Sequence, residues 1–248
     1  MVRRGSLKSQ CKYNEKAMNL DKITQDQRNH WKSMAYSNAG SVAAVGSESL
    51  AHKHLRYEKL LALIPDKNNF TLHEVGPGVC DFYGYLKSSY PNASSIVYSA
   101  SEITSEYCDI ARKTYPGIEI YNRDILSGGA ADEKYDYLIL SGVFHQLGNA
   151  SHRHWIEYMQ ELLLTAWGLT NKALVFNVLT SYADFYKPGN FYANLTELQC
   201  YVVRRLSRFL KMDCSYPLFE ATISVFRSEF IEKKYSDSDS LWSKYLKE

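Results

Sequence analysis

From residue 70 onward, short apolar runs and amphipathic stretches alternate regularly along the chain. FTLHEVG reads as a strand ending in glycine, and DFYGYLKSSY as a helix that stops at Pro91. SSIVYSAS is a second strand, SEYCDIARKTY a helix stopped by Pro116, GIEIYN a third strand and YDYLILSG an apolar fourth. HRHWIEYMQELLLTAWG is predicted to be a helix with Gly168 as its C′ stop, followed by the strand NKALVFNVL. This β-α-β-α order predicts an α/β domain: a mainly parallel sheet covered by helices on both faces. Near the end the pattern changes. NLTELQCYVVRRLSRFL reads as a helix, and MDCSYPLFEATISVFRS holds two short runs compatible with a strand pair. A terminal antiparallel hairpin is therefore expected.

The first part of the chain is more polar. Between Lys12 and Ala35, Met18, Leu20, Ile23, Trp31 and Met34 recur at a spacing that fits one or two short amphipathic helices. Small-residue turns follow in SNAGSVAAVGSES. A second helix is expected from an N-cap at Ser47 to Ile64, before Pro65. The expected organisation is an N-terminal helical cap over 1–66, a core over 67–232 and a polar tail over 233–248. In that tail, Leu241, Trp242, Tyr245 and Leu246 are candidates for a small docking helix.

Composition narrows the function classes. The chain of 248 residues carries 29 Lys and Arg against 27 Asp and Glu, a formal charge of +2. That balance provides no overall field for nucleic acid, which is not expected as a partner. No apolar run approaches the roughly 20 residues that span a bilayer, and the basic N-terminus has no apolar stretch of a secretory signal behind it. Cys11, Cys80, Cys108, Cys200 and Cys214 show neither a CxxC pair nor zinc spacing, so no metal is expected. A scattered, odd set of cysteines fits a reduced, cytoplasmic protein. Twenty tyrosines supply rings with polar tips, suited to pocket walls.

The candidate chemistry lies at successive strand ends. Glu74-Val-Gly76-Pro-Gly78 closes the first parallel strand, where glycines allow a tight turn and close approach of a ligand to the backbone. Glu102 ends the second strand, 26 residues after Gly76, placed to accept both hydroxyls of a ribose. Asp124 lies just past the third strand, placed to accept from an exocyclic amine such as that of adenine. An NAD site is the rival reading, but its fingerprint wants glycine where Asp81 stands.

These segments resemble the class I S-adenosylmethionine-dependent methyltransferases of small-molecule type. LHEVGPGVCDFYGYL is similar to their first motif, ASEITSEYCDIAR to the second, IYNRDIL to the third and YDYLILSGVFHQL to the fourth. The resemblance covers about residues 70–180. It implies a Rossmann-like, doubly wound, seven-stranded and mainly parallel sheet with a reversed last strand. It implies S-adenosyl-L-methionine as cofactor, S-adenosyl-L-homocysteine as product, and a donor site of Glu74, Gly76, Gly78, Glu102, Ile103, Asp124, Ile125 and Ser141. Cys80 departs from the pattern, since the family usually has a third glycine there.

His145, after the fourth strand, is the candidate general base for a hydroxyl acceptor, or else a hydrogen-bonding pocket residue. Gln146 is its polar companion. Arg153 opens a helix whose dipole its charge opposes, an arrangement that an anionic substrate would relieve. Tyr36, Tyr182, Tyr186 and Tyr192, with Phe191, are candidate walls of the acceptor pocket. The expected activity is methyl transfer, with O-methylation favoured, to a small polar acceptor, an anionic one included. The setting would be natural-product or surface-carbohydrate metabolism, and the enzyme a possible homodimer. The competing readings are a nucleic-acid methyltransferase and a degenerate fold used for partner binding.

Overall fold

The computed structural model describes residues 4–37 and 49–235, with Trp242 and Tyr245, and side chains from Asn19 onward. Among these residues the helices are α1 (Arg4–Ser37), α2 (Leu50–Ala62), α3 (Asp81–Ser89), α4 (Ser105–Thr114), α5 (His152–Gly168), α6 (Leu195–Arg205) and α7 (Ser228–Tyr235). The strands are β1 (Thr71–Val75), β2 (Val97–Glu102), β3 (Glu119–Asn122), β4 (Tyr135–Leu140), β5 (Thr170–Thr180), β6 (Tyr192–Ala193), β7 (Leu210–Asp213) and β8 (Glu220–Phe226).

The sheet runs β3-β2-β1-β4-β5-β8-β7. The strands from β3 to β5 pair parallel, and β8 runs antiparallel to both β5 and β7. The seven-stranded sheet with its terminal hairpin is thus present. The two-residue β6 adds an eighth strand beside β5. Apolar residues fill both faces of the sheet. Ile23 of α1 joins Trp155, Leu162 and Leu163 of α5 on one face. Leu60 and Leu61 of α2 join Phe82 and Leu86 of α3 on the other. The two helices of the expected cap therefore serve different layers.

Several boundaries differ from expectation. The segment read as one or two short helices is a single helix of 34 residues, because no glycine or proline interrupts it after Gly5. Ser47 lies outside the described residues, and Ser49 caps α2 by accepting from the His52 N–H at 3.1 Å. That helix ends at Ala62, since Pro65 disfavours helical backbone at Ile64. Gly168 is the last residue of α5, and Leu169 forms the cap. The α6 helix ends at Arg205, where the buried Ser207 hydroxyl accepts the Phe209 N–H at 3.1 Å and turns the chain into β7. The expected boundary between 232 and 233 falls inside α7. The candidate docking helix lies outside the described residues apart from Trp242 and Tyr245.

Candidate active site

A cavity of about 550 Å³ opens where β1, β2, β4 and β5 end. Its floor is the turn after β1. Gly76 and Gly78 hold φ of +69° and +58°, and Cys80 holds +62° at the start of α3. The last value explains why glycine is usual at that place: left-handed backbone costs an L-residue about 1–2 kcal/mol. Burial pushes the Cys80 thiol far up, so it stays protonated and carries no nucleophile.

The buried Glu102 carboxyl stands against this turn. Its oxygens accept from the Thr104 N–H at 2.7 Å and the Gly78 N–H at 3.1 Å. Burial raises its pKa to about 7, against the pull of those backbone donors. Each oxygen keeps a further lone pair for a ligand hydroxyl. Glu74 is also buried, accepts from the Tyr98 hydroxyl, and is raised by burial to about 8. Lys53 of α2, itself buried, pairs with Asp81 on the same wall.

The α1 helix forms the roof. Gln27 and Trp31 line the cavity. Gln27 donates to the Gln146 carbonyl at 3.1 Å, and Arg28 to the Ile103 carbonyl at 3.1 Å. These bonds join the roof to the loops after β4 and β2.

The far wall is a polar cluster. His145 is half-buried, and its Nε2 lies 3.2 Å from the Asn177 side-chain nitrogen. That nitrogen also donates to Glu220 at 2.6 Å, while the Asn177 oxygen accepts the Gly142 N–H at 2.7 Å. Arg56 of α2 grips Glu220 with two bonds, at 2.9 and 2.5 Å. Burial opposes ionisation of Glu220, yet His145, Arg56 and Asn177 hold its pKa at about 2. Burial lowers His145 to about 4. Phe185, Tyr192, Leu218 and Phe219 complete this end.

No family model matches the chain. A protein of Mycobacterium tuberculosis (strain ATCC 25618 / H37Rv), Rv1506c, provisionally named a methyltransferase, is 25% identical over 158 residues, 63% of this chain and 92% of that protein. The solved structure of magnesium protoporphyrin IX methyltransferase (ChlM) from Synechocystis PCC 6803 with bound SAM aligns with TM-score 0.57 at 10% identity, covering 83% of this chain and 97% of ChlM. The DhpI–SAH complex aligns with TM-score 0.59 at 10% identity, covering 83% and 96%. The chain shares the class I methyltransferase fold with these structures.

Within this fold, Glu74, Gly76, Gly78, Glu102, Ile103 and Ser141 line the cavity, as do His145, Gln146 and Tyr192. The other expected site residues stand elsewhere. Asp124 caps a short helical turn by accepting the Leu126 N–H at 2.9 Å, and Ile125 is buried in the apolar core. Arg153 points to solvent, 86% exposed, and pairs with Glu157 one turn along its own helix, so no anion is needed to offset it. Tyr36 is exposed and donates to Glu106. Tyr182 is exposed, and Tyr186 donates to the Ser181 carbonyl from the surface.

Arg56, Lys53, Asn177 and Glu220 were not foreseen from sequence. A signal was available for three of them. Asn177 interrupts the otherwise apolar run ALVFNVL, and a lone amide in a buried strand demands partners. Lys53 and Arg56 sit three apart on α2, on the helical side that also carries Tyr57 and Leu60 inward.

Proposed function

We propose that this protein transfers the methyl group of S-adenosylmethionine to an oxygen of a small polar acceptor. The supporting observation is a single cavity that joins the Gly78–Glu102 clamp to the His145–Asn177–Glu220 wall. The clamp suits a ribose: Glu102 offers spare lone pairs, and the glycines admit the donor close to the backbone. Ile103 and Tyr107 would flank the adenine, and Lys53 with Asp81 would bound the methionine end. When bound, the donor supplies a methyl group already activated by the sulfonium charge. The residues of this chain align the two reactants and exclude water. A concave site of this size favours a small molecule over a nucleic acid or a protein surface. The retained clamp argues against a degenerate fold, and acceptors of natural-product or carbohydrate type fit the polar wall.

Calorimetry tests the donor site. Wild type is expected to bind S-adenosylmethionine and S-adenosylhomocysteine, and Glu102→Ala to weaken both by about 1–3 kcal/mol. Absence of binding by wild type would return the chain to the degenerate reading.

The same carboxyl predicts a pH dependence. Below about 7 the buried Glu102 carries a proton, and it must lose that proton to accept two hydroxyls at full strength. Its acidic neighbour Glu74 holds a proton to about 8. Donor affinity is therefore expected to rise with pH by up to about tenfold per unit below 7 and to level off above it. Titration in buffers of different ionisation heat should show proton release. Glu102→Gln should abolish the slope, and an unchanged slope would assign it to another group.

The roof makes a second test. Donor product is expected to slow amide hydrogen exchange in α1 around Gln27 to Trp31, since the ligand fills the space beneath. Equal exchange with and without product would make α1 plain scaffold.

A further inference from the structure

The amide of Asn177 has only one workable orientation. Its oxygen must accept the Gly142 N–H at 2.7 Å, and its nitrogen must donate to Glu220 at 2.6 Å. Rotating it by half a turn would set oxygen against carboxylate and nitrogen against N–H. The two hydrogens of Nδ2 are thus directed to Glu220 and to His145 Nε2, 3.2 Å away. An amide nitrogen cannot accept, so His145 Nε2 must be bare. In the neutral ring the proton then sits on Nδ1. Backbone bonds hold the main chain that carries the ring: the His145 N–H donates to the Gly142 carbonyl at 3.2 Å, and the His145 carbonyl accepts the Phe191 N–H at 2.8 Å. Arg56 completes the chain by holding Glu220 with two bonds.

We propose that Asn177, Glu220 and Arg56 are positioning residues that lock His145 as a hydrogen-bond donor through Nδ1–H. The site then takes an acceptor whose attacking oxygen is already ionised, a carboxylate or a phosphoryl oxyanion. This rests on the methyl-transfer reading above. With Nε2 occupied and Nδ1 protonated, His145 has no lone pair with which to take a proton. A neutral alcohol would have nowhere to send its hydrogen. An oxyanion needs no such step. Its lone pair forms the O–C bond, the C–S electron pair stays on sulfur, and no proton leaves. The imidazole N–H holds a second oxygen of the same group, and the negative charge faces the donor's sulfonium. The charged groups around the ring are Glu220 and Arg56, which largely cancel, so the ring stays neutral.

Long-range ¹H–¹⁵N correlation spectra of the full chain labelled at imidazole read the tautomer directly, with and without S-adenosylhomocysteine. The His145 signals, identified by their loss in His145→Gln, are expected to show a protonated Nδ1 and a bare Nε2 from pH 6 to 8. Asn177→Asp should move the proton to Nε2, because a carboxylate accepts where the amide donates. A wild-type ring protonated at Nε2, or one titrating near 6.5, overturns the proposal without any variant having to fold. Acetate and methylphosphonate, added to the product-bound protein, should shift the Nδ1 proton, and ethylene glycol should not. His145→Ala should weaken acetate binding about tenfold, the loss of one charge-assisted hydrogen bond. A response to ethylene glycol alone, or to none of the three, overturns the oxyanion assignment. Calorimetry with S-adenosylhomocysteine on the same samples keeps the two readings apart. Failure to bind it defeats methyl transfer, whatever the tautomer.

Discussion

Glu220→Ala is expected to destabilise the protein by about 3 kcal/mol, toward the lower end of the range for breaking a buried ion pair by removing one partner. Glu220 is only 4% exposed and Arg56 17%, so truncation leaves a guanidinium with little access to water. It also leaves the second Asn177 hydrogen without an acceptor. Glu220→Gln keeps the shape and one acceptor, and should cost about half as much. The pH dependence follows from the sign of the shift. The folded-state pKa of Glu220 lies at about 2, below its ordinary 4.5. Its contribution is therefore complete above about 4.5 and is lost as pH falls toward 2. Urea denaturation at pH 7 and pH 3 checks both statements. The gap between wild type and Glu220→Ala should narrow at the lower pH. A loss under 1 kcal/mol at pH 7 would mean that cavity water already screens the pair.

Glu220 also shows what the chain's pattern concealed. The parallel sheet, the hairpin and the glycine turn were legible because they rest on local signals: apolar period, helix stops, and glycine where φ turns positive. The proposed donor half of the site followed, since Gly78 and Glu102 come from adjacent strand ends, which the β-α-β order places side by side. The polar wall was not legible. Arg56, Asn177 and Glu220 lie on α2, β5 and β8, separated by 121 and 43 positions in sequence, and only tertiary packing unites them. Tyr36, Tyr182, Tyr186 and Arg153 stand outside the cavity lining, while Tyr192 is part of it, for a related reason. Loop position does not say which way a side chain points. Arg153 had Glu157 four residues away on its own helix, and that pairing takes it to solvent. Asp124 stands where the motif places it, with one carboxylate oxygen capping a turn and the residue outside the cavity lining. Cys80 was visible as an anomaly, and its left-handed backbone gives the reason for the family's glycine.

The glycine turn supplies the second large effect. Gly76→Ala is expected to cost about 2–5 kcal/mol, from two separable sources. The backbone there has φ of +69°, which costs a residue with Cβ about 1–2 kcal/mol. The added Cβ would lie 2.9 Å from Val143 Cγ2, and a β-branched side chain has few rotamers into which it can retreat. Overpacking of this kind costs a further 1–3 kcal/mol. Gly128 is the internal control: its φ is +83°, but nothing lies within 4 Å of the position a Cβ would take. Gly128→Ala should therefore show the backbone part alone. Val143→Ala in the Gly76→Ala background should recover the steric part, appearing as a favourable coupling of about 1–2 kcal/mol in a double-mutant cycle. Urea denaturation of the four variants measures every arm. Because Val143 lies on the loop after β4 that also carries Ser141 and His145, the crowding should reach the cavity. Gly76→Ala should lose donor affinity, and Gly128→Ala should not. Equal stability losses at Gly76 and Gly128, with no coupling to Val143, would show that the turn yields and that close packing at the first strand end is not what requires glycine.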